Sequence, residues 1–299
     1  MRTLKIIKTE YRRTGYDEAD IEKKEYVELI ACYDERDNLV KEERFDPDGK
    51  TNTLTINQYD TQERLVATEQ FDGEHVLLQK IVNKYDEQGL LAEQGNYFGE
   101  DSTEYITKYI HDPSGNVVRT EMYDQGKLDY IEKQMEYNGK LLTHEIENDE
   151  YGNKMYEHHY EYNEKGLLAK HIRDEIQNHD RRTYEYTYDD KGNRIKELVY
   201  DYNNTLISKI CRTYNNDGLL IETEEEDLDN YRRISMEYEG TLVLKNTLFN
   251  KDGKIMGWAE YSYDENKKEI DSKEYYLDEV NPEVHRLLRE TRYERSSEA

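Results

Sequence analysis

Residues 183–195 have the sequence TYEYTYDDKGNRI, and this stretch decides the fold. Tyr184, Tyr186 and Tyr188 alternate with polar residues, so they lie on one face of a β-strand, in which successive side chains point to opposite faces. The segment DDKG at 189–192 is typical of a tight turn, because Asp accepts backbone hydrogen bonds and Gly adopts positive φ at low cost. The stretch predicts a strand, a turn and the start of a second strand.

The same unit recurs along most of the chain, at a spacing of 24 to 26 residues. Each unit has an aromatic residue directly before its turn, which we call the marker, and Asp, Asn or once Glu follows it. The ten markers are Tyr33, Tyr59, Tyr85, His111, Tyr137, Tyr162, Tyr188, Tyr214, Tyr238 and Tyr263. A nearly fixed period over so many units indicates a repeat protein.

A second turn lies about half a period after the first, as at Phe71-Asp72-Gly73 and at Asn250-Lys251-Asp252-Gly253. Each unit is therefore two strands and two turns, which is a β-hairpin. We predict an all-β repeat array of about ten 26-residue hairpin units. Open sheets rarely exceed ~10 strands without curling, so we expect a curled antiparallel sheet or spiral.

The ends of the chain lack the marker, and they predict the domain organisation. Residues 1–30 have the pattern of N-terminal capping strands, and residues 31–279 form one continuous repeat domain. Residues 280–295 predict a short C-terminal capping helix, with Asn281 as the N-cap and Pro282 at the first helical position. The tail at 296–299 is expected to be disordered.

Composition indicates a folded protein with a thin core. Hydrophobic residues make up 35% of the chain and charged residues 37%, which alone would favour disorder, but 29 tyrosines argue against it. Tyrosine bodies then supply most of the burial on the face that carries the markers. The alternate positions, such as Glu136 and Glu161, are polar and should face water. An alternative is that the tyrosine rows form an exposed binding platform.

The formal net charge is -26. Such a charge repels phosphate backbones, so nucleic acid is not expected as a ligand, whereas a basic protein would be attracted. The alternative is that the charge keeps a sheet-rich protein soluble and monomeric. The two cysteines, Cys32 and Cys211, do not suggest a disulfide framework, and neither a signal peptide nor an apolar run of ~20 residues is evident. We predict a cytoplasmic protein without membrane partners.

The segment Tyr85-Asp86-Glu87-Gln88-Gly89-Leu90-Leu91 and its counterparts resemble the YD (Rhs-type) repeats of bacterial toxin proteins over residues 31–270. The resemblance implies a bacterial source and hairpin sheets that wind into shells. The chain departs from that family in its longer repeat and much shorter length. A fainter likeness to MORN-type hairpin repeats includes immunity or antitoxin components built from them. Both likenesses imply a binding scaffold.

No catalytic, cofactor-binding or metal-binding constellation is evident in the sequence. Asp46-Pro47-Asp48-Gly49 lacks the other ligands of a calcium loop and predicts a turn. His158 and His159 are neighbours in a strand and point to opposite faces, so they cannot both bind one metal ion. His111 replaces a tyrosine among the markers.

Two features are candidates for partner binding. Trp258 is the single tryptophan and is either a ladder aromatic or a contact residue. Glu224, Glu225 and Glu226 belong to an acidic run that is either a solvated loop or a surface for a basic partner.

These observations predict a non-enzymatic protein-binding scaffold, specifically a bacterial immunity or antitoxin protein that neutralises a cognate toxin. The alternative is a carbohydrate- or cell-surface-binding module, and an enzyme is the third hypothesis. An enzyme would require a pocket in which titratable groups with shifted pKa values converge.

Overall fold

The computed structural model describes residues 1–14, 21–99, 104–278 and 284–297. These residues contain 22 β-strands, connected by turns and short irregular segments. No helix occurs among them, so none that could cross a membrane is found in the ranges described. The all-β prediction is confirmed.

The strands are numbered in chain order. They are β1 (Arg2–Arg13), β2 (Ile21–Tyr33), β3 (Leu39–Phe45), β4 (Thr51–Tyr59), β5 (Leu65–Asp72), β6 (Leu77–Tyr85), β7 (Leu91–Phe98), β8 (Glu104–His111), β9 (Val117–Asp124), β10 (Lys127–Asn138), β11 (Leu141–Asn148), β12 (Lys154–Tyr162), β13 (Leu168–Glu175), β14 (Asp180–Tyr188), β15 (Arg194–Tyr200), β16 (Leu206–Tyr214), β17 (Leu220–Asp227), β18 (Tyr231–Glu239), β19 (Leu242–Phe249), β20 (Ile255–Tyr263), β21 (Glu269–Leu277) and β22 (His285–Ser297).

The chain divides into two compact units. In the first, residues 1–78, 219–223 and 231–299, antiparallel pairs run in the order β18-β19-β20-β21-β22-β1-β2-β3-β4-β5. In the second, residues 79–218 and 224–230, they run in chain order from β6 to β16. Strand β17 is divided between the two units, with residues 220–223 in the first and residues 224–227 in the second.

Two parts of the fold prediction are wrong. An open curled sheet or spiral would leave the first and last strands as free edges, but β1 pairs with β22 over Arg2↔Ser297 to Glu10↔Arg289. The C-terminal capping helix at 280–295 is also wrong, because residues 285–295 lie in β22, whose two neighbours are β1 and β21. The proposed helix start at 281–283 lies outside the described residues. In the predicted disordered tail, residues 296 and 297 belong to β22, and residues 298 and 299 are not described.

Most of the predicted turns form through the Asp or Asn that follows the marker. Asp189 Oδ1 accepts hydrogen bonds from the backbone N–H groups of Lys191 at 2.9 Å and Asn193 at 2.8 Å. Asn193 Nδ2 donates to Asp189 Oδ2 at 2.8 Å, and Gly192 has a φ of 89°. Asp37 and Glu63 occupy the glycine position in two other units and adopt the same conformation, with φ values of 70° and 64°. The residue after the marker therefore specifies the turn, and glycine only lowers the free-energy cost of the positive φ.

Each marker lies at or next to the end of an even-numbered strand from β2 to β20. In the described pairings of a marker strand with the strand that follows it, the pairing register shifts immediately before the marker, as between Thr187 and Tyr188 in the β14–β15 pair. Such β-bulges bend the strand and increase its twist. The repeating motif thus combines a bulge, a marker and a tight turn.

Burial follows the predicted alternation along these strands. We call the face that carries the markers the marker face, and the other the opposite face. Positions directly before the markers, on the opposite face, are exposed at Gln58, Lys84, Glu136, Glu161, Thr187, Thr213 and Glu237. The buried apolar side chains in the described ranges are few, at Ile7, Leu29, Ala31, Ala67, Val199 and Ala259. The core is thin, and half-buried tyrosines supplement it.

Candidate functional site

The markers serve the fold. At least six marker hydroxyls donate to a backbone carbonyl 18 or 20 residues earlier, near the start of an odd-numbered strand. For Tyr188 the acceptor is the carbonyl oxygen of Leu168, at 2.8 Å. The bond connects one repeat to the preceding repeat. The six donors are Tyr59, Tyr162, Tyr188, Tyr214, Tyr238 and Tyr263.

Trp258 lies on the opposite face of β20, in an aromatic cluster. Its ring stacks on Tyr275, with 4.7 Å between the ring centroids, and contacts His285 at 5.0 Å in a tilted arrangement. Lys245 Nζ lies 5.1 Å from the indole, and the indole N–H donates to Glu260 Oε1 at 3.0 Å. Trp258 is therefore part of an aromatic stack, and its role as a contact residue for a partner stays a prediction.

The acidic run is not a loop. Glu224, Glu225 and Glu226 lie in β17, where all three are half-buried and interact with other groups of the protein. Trp258 lies in another strand, β20.

The two adjacent histidines point to opposite faces of β12, as expected, but each meets another histidine. On the marker face, His158 Nδ1 lies 2.9 Å from His171 Nε2. On the opposite face, His159 stacks on His144 of β11, with 4.7 Å between ring centroids and 12° between planes. The sequence argument excluded one shared metal ion for the adjacent pair, and it did not consider these cross-strand partners.

The marker-face group is a partly buried polar cluster. Lys133 Nζ donates to Glu145 at 3.0 Å and Glu147 at 2.9 Å, and the Tyr160 hydroxyl donates to Glu145 at 3.1 Å. His171 stacks between Tyr160 and Tyr184, at centroid distances of 4.7 and 5.2 Å.

Burial dominates the electrostatics of this cluster. Burial, with repulsion from His158 next, lowers the pKa of His171 to about 4. Burial also lowers the pKa of His158, whose Nε2 has no hydrogen-bond partner, and raises that of Tyr160. These histidines are neutral near pH 7. Ring stacking and hydrogen bonds explain their presence in this cluster.

The opposite-face group is accessible to solvent. Glu157 of β12 accepts from His144 Nε2 at 2.9 Å, and its carboxylate lies 3.9 Å from His159 Nε2. One donor atom from each of His144, Glu157 and His159 lies within 4.8 Å of the other two. Lys154 Nζ donates to the second carboxylate oxygen at 2.8 Å, and the hydrogen bonds from Lys154 and His144 lower the pKa of Glu157. We call these three side chains the opposite-face triad.

Sequence reasoning missed this triad, although a signal existed. The residues DEYGN at 149–153 have the chemistry of the other turns, and Asp149 Oδ1 accepts from the backbone of Tyr151 and Asn153. His144 and His159 lie at equal distances on either side of this turn and pair directly in the β11–β12 register. Identifying the turn first would have predicted the pair.

No protein-family model matches the sequence, and no curated protein sequence matches it significantly. Solved structures show weak likenesses. A chain in the crystal structure of TcdB2-TccC3-Cdc42 is 14% identical with a TM-score of 0.38, over 84% of this chain and 15% of that one. A porin-like protein from Bacteroides uniformis is 11% identical with a TM-score of 0.34, over 98% of this chain and 97% of that one.

A chain in the Photorhabdus luminescens Tc holotoxin pore is 10% identical with a TM-score of 0.22, over 90% of this chain and 23% of that one. This chain therefore spans a small part of the Tc-toxin chains it is similar to. At these scores the comparisons assign no family and no function.

Proposed function

We propose that the chain is a non-enzymatic repeat scaffold that binds a basic protein. The observation that carries the proposal is the net charge of -26 on a framework of strands and tight turns. A negative field of this size attracts basic surfaces and speeds their association.

The turns keep part of this charge ionised at fixed positions. Backbone N–H groups hold the pKa values of Asp60, Asp112 and Asp227 below the usual range of a carboxyl group. The same hydrogen bonds form the turns, so the charge is part of the fold. These carboxylates contribute to the field at any pH at which the protein is used, while their oxygens are already engaged.

Direct contacts with a partner would come from carboxylates on the opposite face. Glu161 and Glu185 of the second unit are exposed there. Glu161 makes only a long ion pair with Lys170, at 3.9 Å, and its side chain is 64% exposed. Exposed ion pairs of this kind contribute little stability, so a partner can replace them at low cost.

The resemblance to YD-type and MORN-type repeats suggests the kind of partner. We propose a bacterial immunity or antitoxin protein that binds a basic toxin in the cytoplasm of the producing cell. The charge supports a basic partner, and the resemblance of the repeats supports the toxin context.

The test is a pull-down from the native host, followed by identification of the captured protein and measurement of its affinity at low and high salt. We expect a basic protein whose binding weakens steeply with salt. The double variant Glu161→Gln, Glu185→Gln should weaken binding roughly tenfold. The control, Thr187→Ala with Thr213→Ala, changes exposed positions of the same face without changing charge and should bind normally.

Capture of a partner whose affinity does not respond to salt or to the double variant would contradict the proposal. The toxin part has its own test: co-expression of the captured protein with this chain should restore growth that the captured protein alone suppresses. If the captured protein does not suppress growth, the immunity role is wrong and the binding role remains.

A second candidate function is carbohydrate binding, and the stack of Trp258 on Tyr275 favours it. Aromatic side chains with a polar rim suit the apolar faces of sugars, and Glu260 and Lys245 flank this stack. A glycan array tests it. Saturable binding that is lost in Trp258→Ala and kept in the charge variant would favour this function over protein binding.

A further inference from the structure

We infer that His144, Glu157 and His159, the opposite-face triad, bind a divalent cation of the zinc class. This site is independent of the proposed partner. Its ligands lie on the adjacent strands β11 and β12, joined by a turn of five residues at 149–153.

The donor set and its spacing fit zinc. Zn²⁺ binds imidazole nitrogen and carboxylate oxygen at about 2.0–2.2 Å, so neighbouring ligand atoms in a tetrahedral site are about 3.3 Å apart. His144 Nε2 and Glu157 Oε1 are 2.9 Å apart, and His159 Nε2 lies 3.9 Å from the same carboxylate oxygen. The two imidazoles are stacked, with 12° between their planes, so at least one ring must rotate for both lone pairs to point at one ion, and this rotation would bring the three donor atoms from within 4.8 Å of one another to that spacing. The fourth position is left for water or an exogenous ligand.

The surroundings orient one of the imidazoles for metal binding. His144 Nε2 faces Glu157, whereas its Nδ1 faces the carboxylate of Glu136 at 3.8 Å. When an ion displaces the proton on Nε2, the carboxylate of Glu136 is placed to accept from Nδ1–H, as carboxylates commonly do for metal-bound histidines. Glu136 belongs to β10, so three consecutive strands contribute to the site.

The metal-free protein already holds the carboxylate in place. Lys154 Nζ donates to Glu157 Oε2 at 2.8 Å, while Oε1 faces the two histidines. The lysine fixes the carboxylate but also places a positive charge near the cation. Removing that charge should increase the affinity for the metal, whereas removing a ligand should decrease it.

Accessibility separates this site from the histidine pair on the marker face. His159 has a side chain 48% exposed, so an ion can reach it from solvent. His158 is 8% exposed and stacks against His171 and Tyr160. The marker-face pair therefore serves as a matched internal control.

The experiment is calorimetric titration of the full chain with Zn²⁺ alone, after removal of metals with chelator. Cys32 and Cys211 are free, so both are replaced by Ser in every protein tested, which removes thiolate ligands. We expect one Zn²⁺ per chain, and more than tenfold weaker binding in both His144→Ala and His159→Ala. His179→Asn, which removes an exposed turn histidine, should bind as the parent does.

Two further readouts keep the proposal falsifiable if a variant is less stable. The first is that Lys154→Ala should bind Zn²⁺ more tightly than the parent. The second is that Zn²⁺ should raise the melting temperature of the parent but not that of His159→Ala. Mg²⁺ at equal concentration should not compete, because it prefers an all-oxygen octahedron. Absence of stoichiometric binding, or equal binding in the parent and both histidine variants, would overturn the proposal.

Discussion

His158 and His159 are neighbours in β12, yet they lie in two different environments. On the marker face, His158 is 8% exposed and belongs to the cluster of Lys133, Glu145 and Tyr160. On the opposite face, the side chain of His159 is 48% exposed and lies beside His144 and Glu157. The same residue types thus stabilise the sheet on one face and remain available to a ligand on the other.

The difference shows why composition alone did not locate a site. Histidine, glutamate and lysine occur on both faces of β10 to β13, and the strand period of two decides which of them are buried. The faces should therefore respond differently to equivalent substitutions.

The largest expected difference is between Glu145→Ala and Glu157→Ala. Glu145 is 9% exposed and accepts hydrogen bonds from Lys133 and Tyr160. Its loss leaves a half-buried cation and a hydroxyl without this acceptor, so we expect about 2 kcal/mol of destabilisation. Glu157 is 25% exposed, and its loss should cost less than about 1 kcal/mol. Urea unfolding measures both, and equal losses would show that the faces do not differ.

A smaller effect is expected in the pH dependence of stability. The unfolded chain protonates His171 near its ordinary pKa of 6.5, whereas the folded protein does so only near 4. Folding stability from this group is therefore complete above pH 6.5 and is lost as the pH falls towards 4. Because the ring is only half-buried, we expect a loss on the order of 1 kcal/mol.

The control for this prediction is His171→Gln. Subtracting its unfolding free energy from that of the parent, pH by pH, removes the contribution of the carboxylates that titrate near pH 4. A difference that stays constant between pH 4 and 6.5 would mean that His171 is not buried as a neutral ring.

The smallest effect is expected for a single marker hydroxyl. Tyr188→Phe removes the hydrogen bond to the carbonyl of Leu168, and we expect a cost of about 0.5–1 kcal/mol. Tyr202→Phe changes a turn tyrosine that is 65% exposed and should be neutral. Thermal or urea unfolding compares the pair. If Tyr188→Phe is also neutral, the bonds between repeats do not stabilise the array.

Local chemistry made the repeats predictable. Most turns depend on one Asp or Asn whose oxygen accepts two nearby backbone N–H groups, as Asn163 does from Lys165 and Leu167, so a short motif carries the information. The alternation of the strands follows from the same motif, because the marker fixes which face each preceding residue occupies.

The features that were mispredicted depend on distant partners. Residues 281–283 have the residues of a helix start, and Val284, Leu287 and Leu288 a helical spacing, but residues 285–297 pair with β1 and β21 instead. Nothing in the sequence of this segment indicates that it pairs with β1, which lies nearly 300 residues earlier in the chain. Such long-range strand pairing overrides the local helix signals. The opposite-face triad likewise needs the register across a turn, which spacing alone does not supply.

The most direct test is to compare the reactivity of His158 and His159 in the native protein. The chain is treated with an imidazole-acylating reagent, and tandem mass spectrometry separates the two adjacent sites. We predict that His159 is modified rapidly and that Zn²⁺ protects it, while His158 reacts only after unfolding. Equal reactivity of the two rings, or faster modification of His158, would contradict the division of the sheet into a structural face and an accessible face.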